Sequence, residues 1–175
     1  MEPRQRKKNR LQGYDYGQPG YYFITICANK RAELFWDMAA ENASVGAACG
    51  RPPLSAIGLC VQEEIRNLAQ TYDVLTVEKY IIMPNHVHMI LHIHPFVSGR
   101  PQAAPTIERA INQFKGAATK KAGFPIWQKG YHDHIIRNEA NYRRIWEYID
   151  TNPAKWREDC YYCESGDFSG PSGRQ

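Results

Sequence analysis

The sequence predicts an α+β fold of the ferredoxin-like type, an antiparallel sheet with two helices on one face and a further helix at the C-terminal end. The first observation behind this prediction is the order of the periodic segments, which is strand, helix, strand, strand, helix, strand. The second is the stretch from Met83 to Leu91, a turn followed by an apolar run that carries two histidines one residue apart. Successive side chains of a strand lie on opposite faces, so we expect an apolar back face under the helices and a polar front face open to a ligand.

The length of 175 residues supports one hydrophobic core and therefore one domain. We expect a basic arm and lead-in over residues 1–20, the domain over 21–155 and a poorly ordered tail over 156–175. The five cysteines are scattered, and no apolar run is long enough to span a bilayer, so we expect a reduced, cytoplasmic protein. Cys160 and Cys163 have the spacing of half a zinc knuckle, but no second pair stands near them in sequence.

Local patterns predict the elements of the first half of the chain. Tyr21 to Ala28 is rich in aromatic and β-branched residues, which favours a strand. Apolar residues recur every three or four positions from Leu54 to Leu68, which is typical of an amphipathic helix. Val74 to Ile82 is again β-branched, and the short turn Met83-Pro84-Asn85 joins it to the histidine strand as an antiparallel hairpin.

The second half of the chain predicts a helix, a short strand and a last helix. The first of these helices ends at Gly123, a residue type that favours helix ends. The strand begins at Ile126. The last helix is capped by Asn138 and ends near Asn152, because Pro153 disfavours helical geometry in the residue before it.

The histidines are the first candidates for chemistry, because all six fall into His-x-His pairs. His86 and His88 can converge on one ion, since alternate residues of a strand point to the same face about 6.5 Å apart. His92 and His94 lie too far along the same strand to share that ion, and we expect them to be ordinary surface residues. The third pair is His132 and His134.

The last helix supplies two further candidates. Tyr148 and Asn152 are four residues apart and therefore share a helix face, about 6 Å apart along the axis. An oxygen of Asn152 beside His86 and His88 would leave open positions on Mg²⁺ or Mn²⁺ for a substrate phosphate. Tyr148 lies off the apolar stripe of this helix, which leaves its hydroxyl free for a role outside the core.

Several segments occur together in a characteristic order. They are Gly13-Tyr14-Asp15-Tyr16, Tyr22-Phe23-Ile24-Thr25-Ile26-Cys27, Met83-Pro84-Asn85-His86-Val87-His88, Trp127-Gln128, His134-Ile135-Ile136-Arg137-Asn138 and Trp146-Glu147-Tyr148-Ile149-Asp150-Thr151-Asn152-Pro153. In this order and spacing the chain resembles the REP-associated tyrosine transposases, relatives of the single-tyrosine insertion-sequence transposases within the HUH endonucleases. The resemblance covers about residues 4 to 155; the stretch from Gly46 to Pro53 and the tail have no counterpart in it.

The resemblance implies roles for particular residues. His86 and His88 would bind a divalent metal with Asn152 as the third ligand, and Tyr148 would be the nucleophile. Tyr131 is a competing nucleophile, because it follows Trp127-Gln128 near the last strand. The implied activity is transesterification of single-stranded DNA beside a hairpin, through a 5′-phosphotyrosine link. The oligomeric state expected from the resemblance is a monomer or a homodimer.

Positive charge concentrates near the start of the chain, although the net charge is only +4. Such an arm attracts phosphates, so we expect it to bind DNA with help from Lys115. Tyr14 is expected either to stack on unpaired bases or to pack against the sheet. The basic residues of the arm to which we assign DNA binding are Arg6, Lys7, Lys8 and Arg10.

Two other functions fit the same residues. A nucleic-acid-binding module without catalysis would use the sheet and the basic arm, with the histidines as stacking or surface groups. A metal-dependent nuclease would use water as the nucleophile, with Tyr148 only positioning the substrate. A covalent protein–DNA adduct distinguishes the transesterase from both.

Overall fold

The computed structural model describes residues 13–39, 52–95 and 106–162. The strands form one antiparallel sheet in the order β2-β3-β1-β4, the order of a ferredoxin-like fold, which confirms the predicted fold class. The elements are β1 (Gly20–Cys27), α1 (Ala56–Thr71), β2 (Leu75–Ile82), β3 (His86–Ile93), α2 (Ile107–Ala122), β4 (His132–Ile136) and α3 (Glu139–Thr151).

The ends of the elements follow local signals in the sequence. Gly123 ends α2 with a φ of 79°, a left-handed conformation that glycine adopts without a steric cost. Asn138 caps α3, and its side chain accepts a hydrogen bond from the Asn141 backbone N–H. The predicted start of the last strand at Ile126 is wrong. Trp127 forms an isolated bridge to Ala28, the residue after β1, and β4 begins after a turn, at His132.

The back face of the sheet carries the main core. α1 and α2 lie on it, and they bury the β3 side chains Val87, Met89 and Leu91 completely. The alternation read from the sequence therefore holds, because the neighbouring His86 and His88 lie on the front face. None of the helices in the described ranges combines the length and the apolarity needed to cross a bilayer.

The front face is not as open as the sequence suggested. α3 packs on it, with Ile145 and Ile149 against Ile90 and Ile136 in a second core. The reason is the apolar stripe of α3, which must be buried somewhere, and the front face of β3 and β4 offers a matching surface. The expectation of an open front face is therefore corrected.

A short segment after α3 also packs on the front face. The chain continues as a 3₁₀ turn over Asn152–Glu158, and Trp156 and Tyr161 join the front core. We call residues 156–162 the C-terminal segment. The sequence analysis placed it in a poorly ordered tail, which is wrong for these seven residues because their aromatic rings are packed against the sheet. Residues 163–175, with Cys163, lie outside the described residues, as does most of the loop predicted over 46–53.

Candidate active site

His86 and His88 lie at the start of β3, between β1 and β2. His88 stands opposite Thr25 of β1 and Ile81 of β2. The exposed fraction is 0% for His86 and 1% for His88, and the two Nε2 atoms are 2.9 Å apart. Their convergence, which the sequence spacing predicted, is therefore present in the structure.

The hydrogen bonds of the two rings show which nitrogens are available to a ligand. The Asn85 Oδ1 atom can only accept, so His86 Nδ1–H donates to it across 2.9 Å. The neutral His86 ring therefore carries no proton on Nε2. His88 Nδ1 lies 2.8 Å from the Thr25 hydroxyl, which can either donate or accept. Both Nε2 atoms can therefore bind one ion, provided that Thr25 accepts from His88 when the ion is bound.

Burial determines the charge of the pair. It lowers the pKa of His88 to about 3, because a charged imidazolium would lose its hydration there. Burial also lowers the pKa of His86, with smaller contributions from His88 and from the positive charge of Arg31. Both rings are therefore neutral near pH 7, and neutral imidazole is the form that binds metal ions.

α3 brings Tyr148 to the same site. Its hydroxyl lies 3.2 Å from His88 Nε2 and donates to Asp159 Oδ2 across 3.3 Å. Burial, and then the carboxylate of Asp159, raise the pKa of Tyr148. The competing candidate, Tyr131, packs in the core on the back face, and so does not share the front face with the histidines.

Asn152 ends α3 one turn after Tyr148. Its backbone N–H donates to the Tyr148 carbonyl, and its side chain is 3% exposed. The Asn152 Nδ2 atom is buried and has no hydrogen-bond partner among the described residues. An unpaired buried polar group costs about 1–3 kcal/mol, so this N–H₂ group is available to a ligand that offers it an acceptor oxygen.

Asp159 is a site residue that the sequence analysis missed. Its side chain is only 1% exposed, and its Oδ2 atom lies 4.0 Å from His86 Nε2. One atom each of Asp159, His86 and His88 lie within 4.8 Å of one another, which makes the carboxylate a second candidate for the third metal ligand. The sequence signal that could have located Asp159 is the cluster of aromatic residues around it in an otherwise polar tail.

Tyr161 covers the histidines. Its ring centroid lies 4.5 Å from that of His86, and its carbonyl accepts a hydrogen bond from the Asn85 side chain. The guanidinium of Arg31 lies 5.3 Å from the centre of the Tyr161 ring, on the side of the site formed by the chain after β1. The site is thus lined by neutral imidazoles, the phenols of Tyr148 and Tyr161 and the carboxyl group of Asp159, with the cation of Arg31 at its margin.

Of the residues predicted to bind DNA, the structure describes Lys115 and Tyr14, and both make hydrogen bonds or ring contacts away from the histidines. Lys115 donates to the carbonyls of Gln128 and Gly130, at 2.7 and 2.9 Å, and so holds the turn before β4. Tyr14 packs edge-on against Tyr22 of β1, which agrees with the expectation that it packs against the sheet. Base stacking by Tyr14 and phosphate contact by Lys115 stay predictions. Arg6, Lys7, Lys8 and Arg10 lie outside the described residues.

Comparison with known proteins identifies a relative of this chain. No protein family model matches it. A protein of Haemophilus influenzae, described only as an uncharacterized protein, is 31% identical over 178 aligned positions, which cover 91% of this chain and 94% of the Haemophilus protein. The chain belongs to the family of this Haemophilus protein.

A solved structure extends the comparison to the fold. It is that of a REP-associated tyrosine transposase bound to a REP hairpin, and it aligns with a TM-score of 0.56 at 19% identity, over 84% of this chain and 73% of that one. The chain has the fold of a REP-associated tyrosine transposase. The resemblance read from the sequence motifs is thereby confirmed for the fold.

Proposed function

We propose that this protein is a DNA-processing enzyme of the transposase type, which cuts and rejoins single-stranded DNA through a covalent link to Tyr148. The observation that carries the proposal is the 3.2 Å approach of the Tyr148 hydroxyl to His88 Nε2, which itself lies 2.9 Å from His86 Nε2. A potential nucleophile thus lies beside two potential metal ligands. The transposase fold supports the same assignment.

The side chains of the site fit a divalent cation. His86 and His88 are neutral and converge, and the Asp159 carboxylate offers an oxygen ligand beside them. The buried side chain of Asn152, one turn after Tyr148, carries an amide oxygen as a further ligand atom. We propose that His86, His88 and Asn152 hold Mg²⁺ or Mn²⁺, with Asp159 as the alternative to Asn152. Such an ion supplies positive charge that polarises a scissile phosphate.

The proposed reaction exchanges one phosphate ester for another. The Tyr148 oxygen forms a bond to phosphorus, the bond from phosphorus to the 3′ oxygen breaks, and the phenol proton is lost as the departing strand gains a 3′-hydroxyl. The product on the enzyme is a 5′-phosphotyrosine. A 3′-hydroxyl from another strand can attack this ester in the reverse sense, so that strands are joined without an external energy source.

The C-terminal segment limits access to the site. Because His86 is fully buried and its ring is covered by Tyr161, a DNA phosphate reaches the imidazoles only if Tyr161 moves. Asp159 holds the Tyr148 hydroxyl by a hydrogen bond in the same arrangement. The structure therefore corresponds to a closed site, which DNA has to open.

We further propose that the DNA is a hairpin with an adjacent single-stranded segment. The solved transposase with this fold is bound to a REP hairpin, which supports the choice. Arg31 lies beside the Tyr161 ring, which supports a role for its guanidinium in contacting the phosphate that enters. The basic residues near the start of the chain, Arg6, Lys7, Lys8 and Arg10, would add phosphate contacts along the strand.

The deciding experiment looks for the covalent adduct. The protein and its Tyr148→Phe variant are incubated with labelled single-stranded hairpin DNA, with Mn²⁺ or with a chelator, and are separated on denaturing gels. We expect a slow band that requires Mn²⁺ and that is absent from Tyr148→Phe. Tyr142→Phe is the matched control, because Tyr142 is another tyrosine of α3 but packs against Tyr21 instead of the histidines.

Each other outcome points to a different function. An adduct that persists in Tyr148→Phe would show that another residue is the nucleophile. Metal-dependent cleavage without an adduct would identify a nuclease that uses water. Binding of the hairpin with neither cleavage nor adduct would favour a non-catalytic DNA-binding module.

A further inference from the structure

A second group of metal-ligating side chains lies at the other end of β3. His92 and His94 were expected to be ordinary surface residues, but the structure places Glu78 of β2 beside them. One nitrogen of each ring and one carboxylate oxygen lie within 4.8 Å of one another. This second cluster does not include any residue of the site proposed for DNA cleavage.

A β-bulge brings Glu78 to the histidines. Val77 pairs with Leu91 and Lys79 pairs with Ile90, so Glu78 is an extra residue between two regular pairs of the ladder. A bulge re-aims the side chain of the inserted residue. In this case the carboxylate turns towards His92, and the distance from Glu78 Oε1 to His92 Nδ1 is 3.4 Å.

The distances suit a small, tightly bound cation. Two ligand atoms of a tetrahedral zinc site lie about 3.3 Å apart, given bond lengths of about 2.0–2.1 Å. The separation between Glu78 Oε1 and His92 Nδ1 already matches this value. The ring centroids of His92 and His94 are 4.1 Å apart, and one nitrogen of His94 lies within 4.8 Å of the ligand atoms of His92 and Glu78.

Neighbouring side chains hold the second cluster in place. The Tyr21 ring is stacked on His92, with 3.9 Å between the ring centroids. The Thr76 hydroxyl donates to Glu78 across 2.8 Å and lies 3.1 Å from His94 Nε2. Supporting contacts of this kind orient the ligands of metal sites. The His92 and Glu78 side chains are 16% and 29% exposed, which leaves a path for an ion from solvent.

We propose that Glu78, His92 and His94 form a second metal site, which binds Zn²⁺ and clamps the bulge of β2 to the end of β3. Two imidazoles and one carboxylate are a ligand set that zinc uses, with water in the fourth position. Imidazole ligands favour zinc over the hard cations Mg²⁺ and Ca²⁺. The site is independent of the proposed DNA chemistry.

The test measures Zn²⁺ binding after the first pair of histidines has been removed. A His86→Ala/His88→Ala variant is titrated with Zn²⁺ against a chromophoric chelator, and with Co²⁺ while the visible absorption is recorded. We expect one equivalent to bind. Adding His92→Ala, His94→Ala or Glu78→Gln should weaken this binding by more than about 100-fold, because even supporting contacts contribute 10- to 100-fold to metal affinity.

The third His-x-His pair provides the matched control. His132 and His134 lie on β4 with the same spacing and are exposed. Adding His132→Ala/His134→Ala to the same background should leave the zinc affinity unchanged. Circular dichroism of each variant without metal ensures that a loss of binding is not a loss of folding.

Two results would overturn the proposal. One is the absence of bound Zn²⁺ and Co²⁺ in the folded His86→Ala/His88→Ala variant. The other is zinc binding that survives His92→Ala, His94→Ala and Glu78→Gln, since the ion would then be held elsewhere. Neither result bears on Tyr148 or on the covalent adduct, so the proposed function is judged separately.

Discussion

Two His-x-His pairs on the same strand, β3, have very different surroundings. The rings of His86 and His88 are buried under α3 and the C-terminal segment, beside a tyrosine hydroxyl. His92 and His94, at the far end, are partly exposed and lie beside the carboxylate of Glu78. The same motif on one strand thus offers two different chemistries, and the neighbouring elements determine which.

A threonine hydroxyl contacts each pair from an adjacent strand. Thr25 of β1 contacts His88, and Thr76 of β2 contacts His94. A carboxylate also lies beside each pair, Asp159 at the first and the bulge residue Glu78 at the second. What sets the first pair apart is Tyr148 of α3, whose hydroxyl lies 3.2 Å from His88 Nε2. The phenol at the first pair is the basis of the nucleophile that we propose there, whereas at the second pair we propose only metal binding.

The largest expected difference between the pairs is in DNA cleavage. His86→Ala should lower the rate of adduct formation by about 100-fold or more, since loss of a metal ligand exceeds the effect of losing a supporting contact. His92→Ala should change the rate by less than about twofold, because metal at the second cluster does not contact the proposed nucleophile. Single-turnover assays with labelled hairpin DNA measure both rates. If His86→Ala and His92→Ala lowered the rate of adduct formation equally, the two pairs would not differ in their contribution to DNA cleavage.

The next difference is in the pH dependence of stability. The pKa values of His86 and His88 are lowered in the folded state, so below the unfolded pKa of about 6.5 the unfolded chain binds more protons. The free energy of unfolding should therefore fall between pH 7 and pH 5, by about 2 kcal/mol for His88, whose folded pKa lies below this range, and further for His86. For His88 the loss continues until the pH reaches its folded pKa of about 3.

Urea unfolding at pH 7 and pH 5 with a chelator present measures this loss. In His88→Gln the difference between the two pH values should shrink by about 2 kcal/mol, because one depressed group is gone. His134→Ala, on the exposed side of β4, should leave the difference unchanged. An unaltered difference in His88→Gln would mean that the His88 ring is not held neutral by burial.

The smallest expected effect concerns the cover over the first pair. Tyr161→Ala removes the ring above His86 and should increase the rate of adduct formation several-fold, about three to ten times, by raising the fraction of open sites. Tyr161→Phe keeps the ring and serves as the control. Rates measured at subsaturating DNA reveal the change. A slower Tyr161→Ala variant would show that the ring contributes to DNA binding instead of excluding it.

The first pair could be located from sequence because its signals are local. Alternation along β3 placed Val87 and Met89 in the core and the histidines on the other face, and helical spacing placed Tyr148 one turn before Asn152. The packing of the C-terminal segment was not predicted, since a 3₁₀ turn with one buried ring, Trp156, followed by the partly buried Tyr161 has no period to detect. The second cluster was not predicted from the sequence, because the bulge that shifts the pairing register at Glu78 has no recognisable sequence signal.

The sequence by itself determined the order of elements, the apolar and polar faces of β3, and the helix ends at Gly123 and Asn138. These features follow from periodicity and capping, which act between residues close in the chain. Only the tertiary structure decided that Asp159 and Tyr161 close over the first pair and that Glu78 joins the second. The physical reason is that such contacts join segments distant in sequence, whose meeting depends on how the whole sheet and its helices pack.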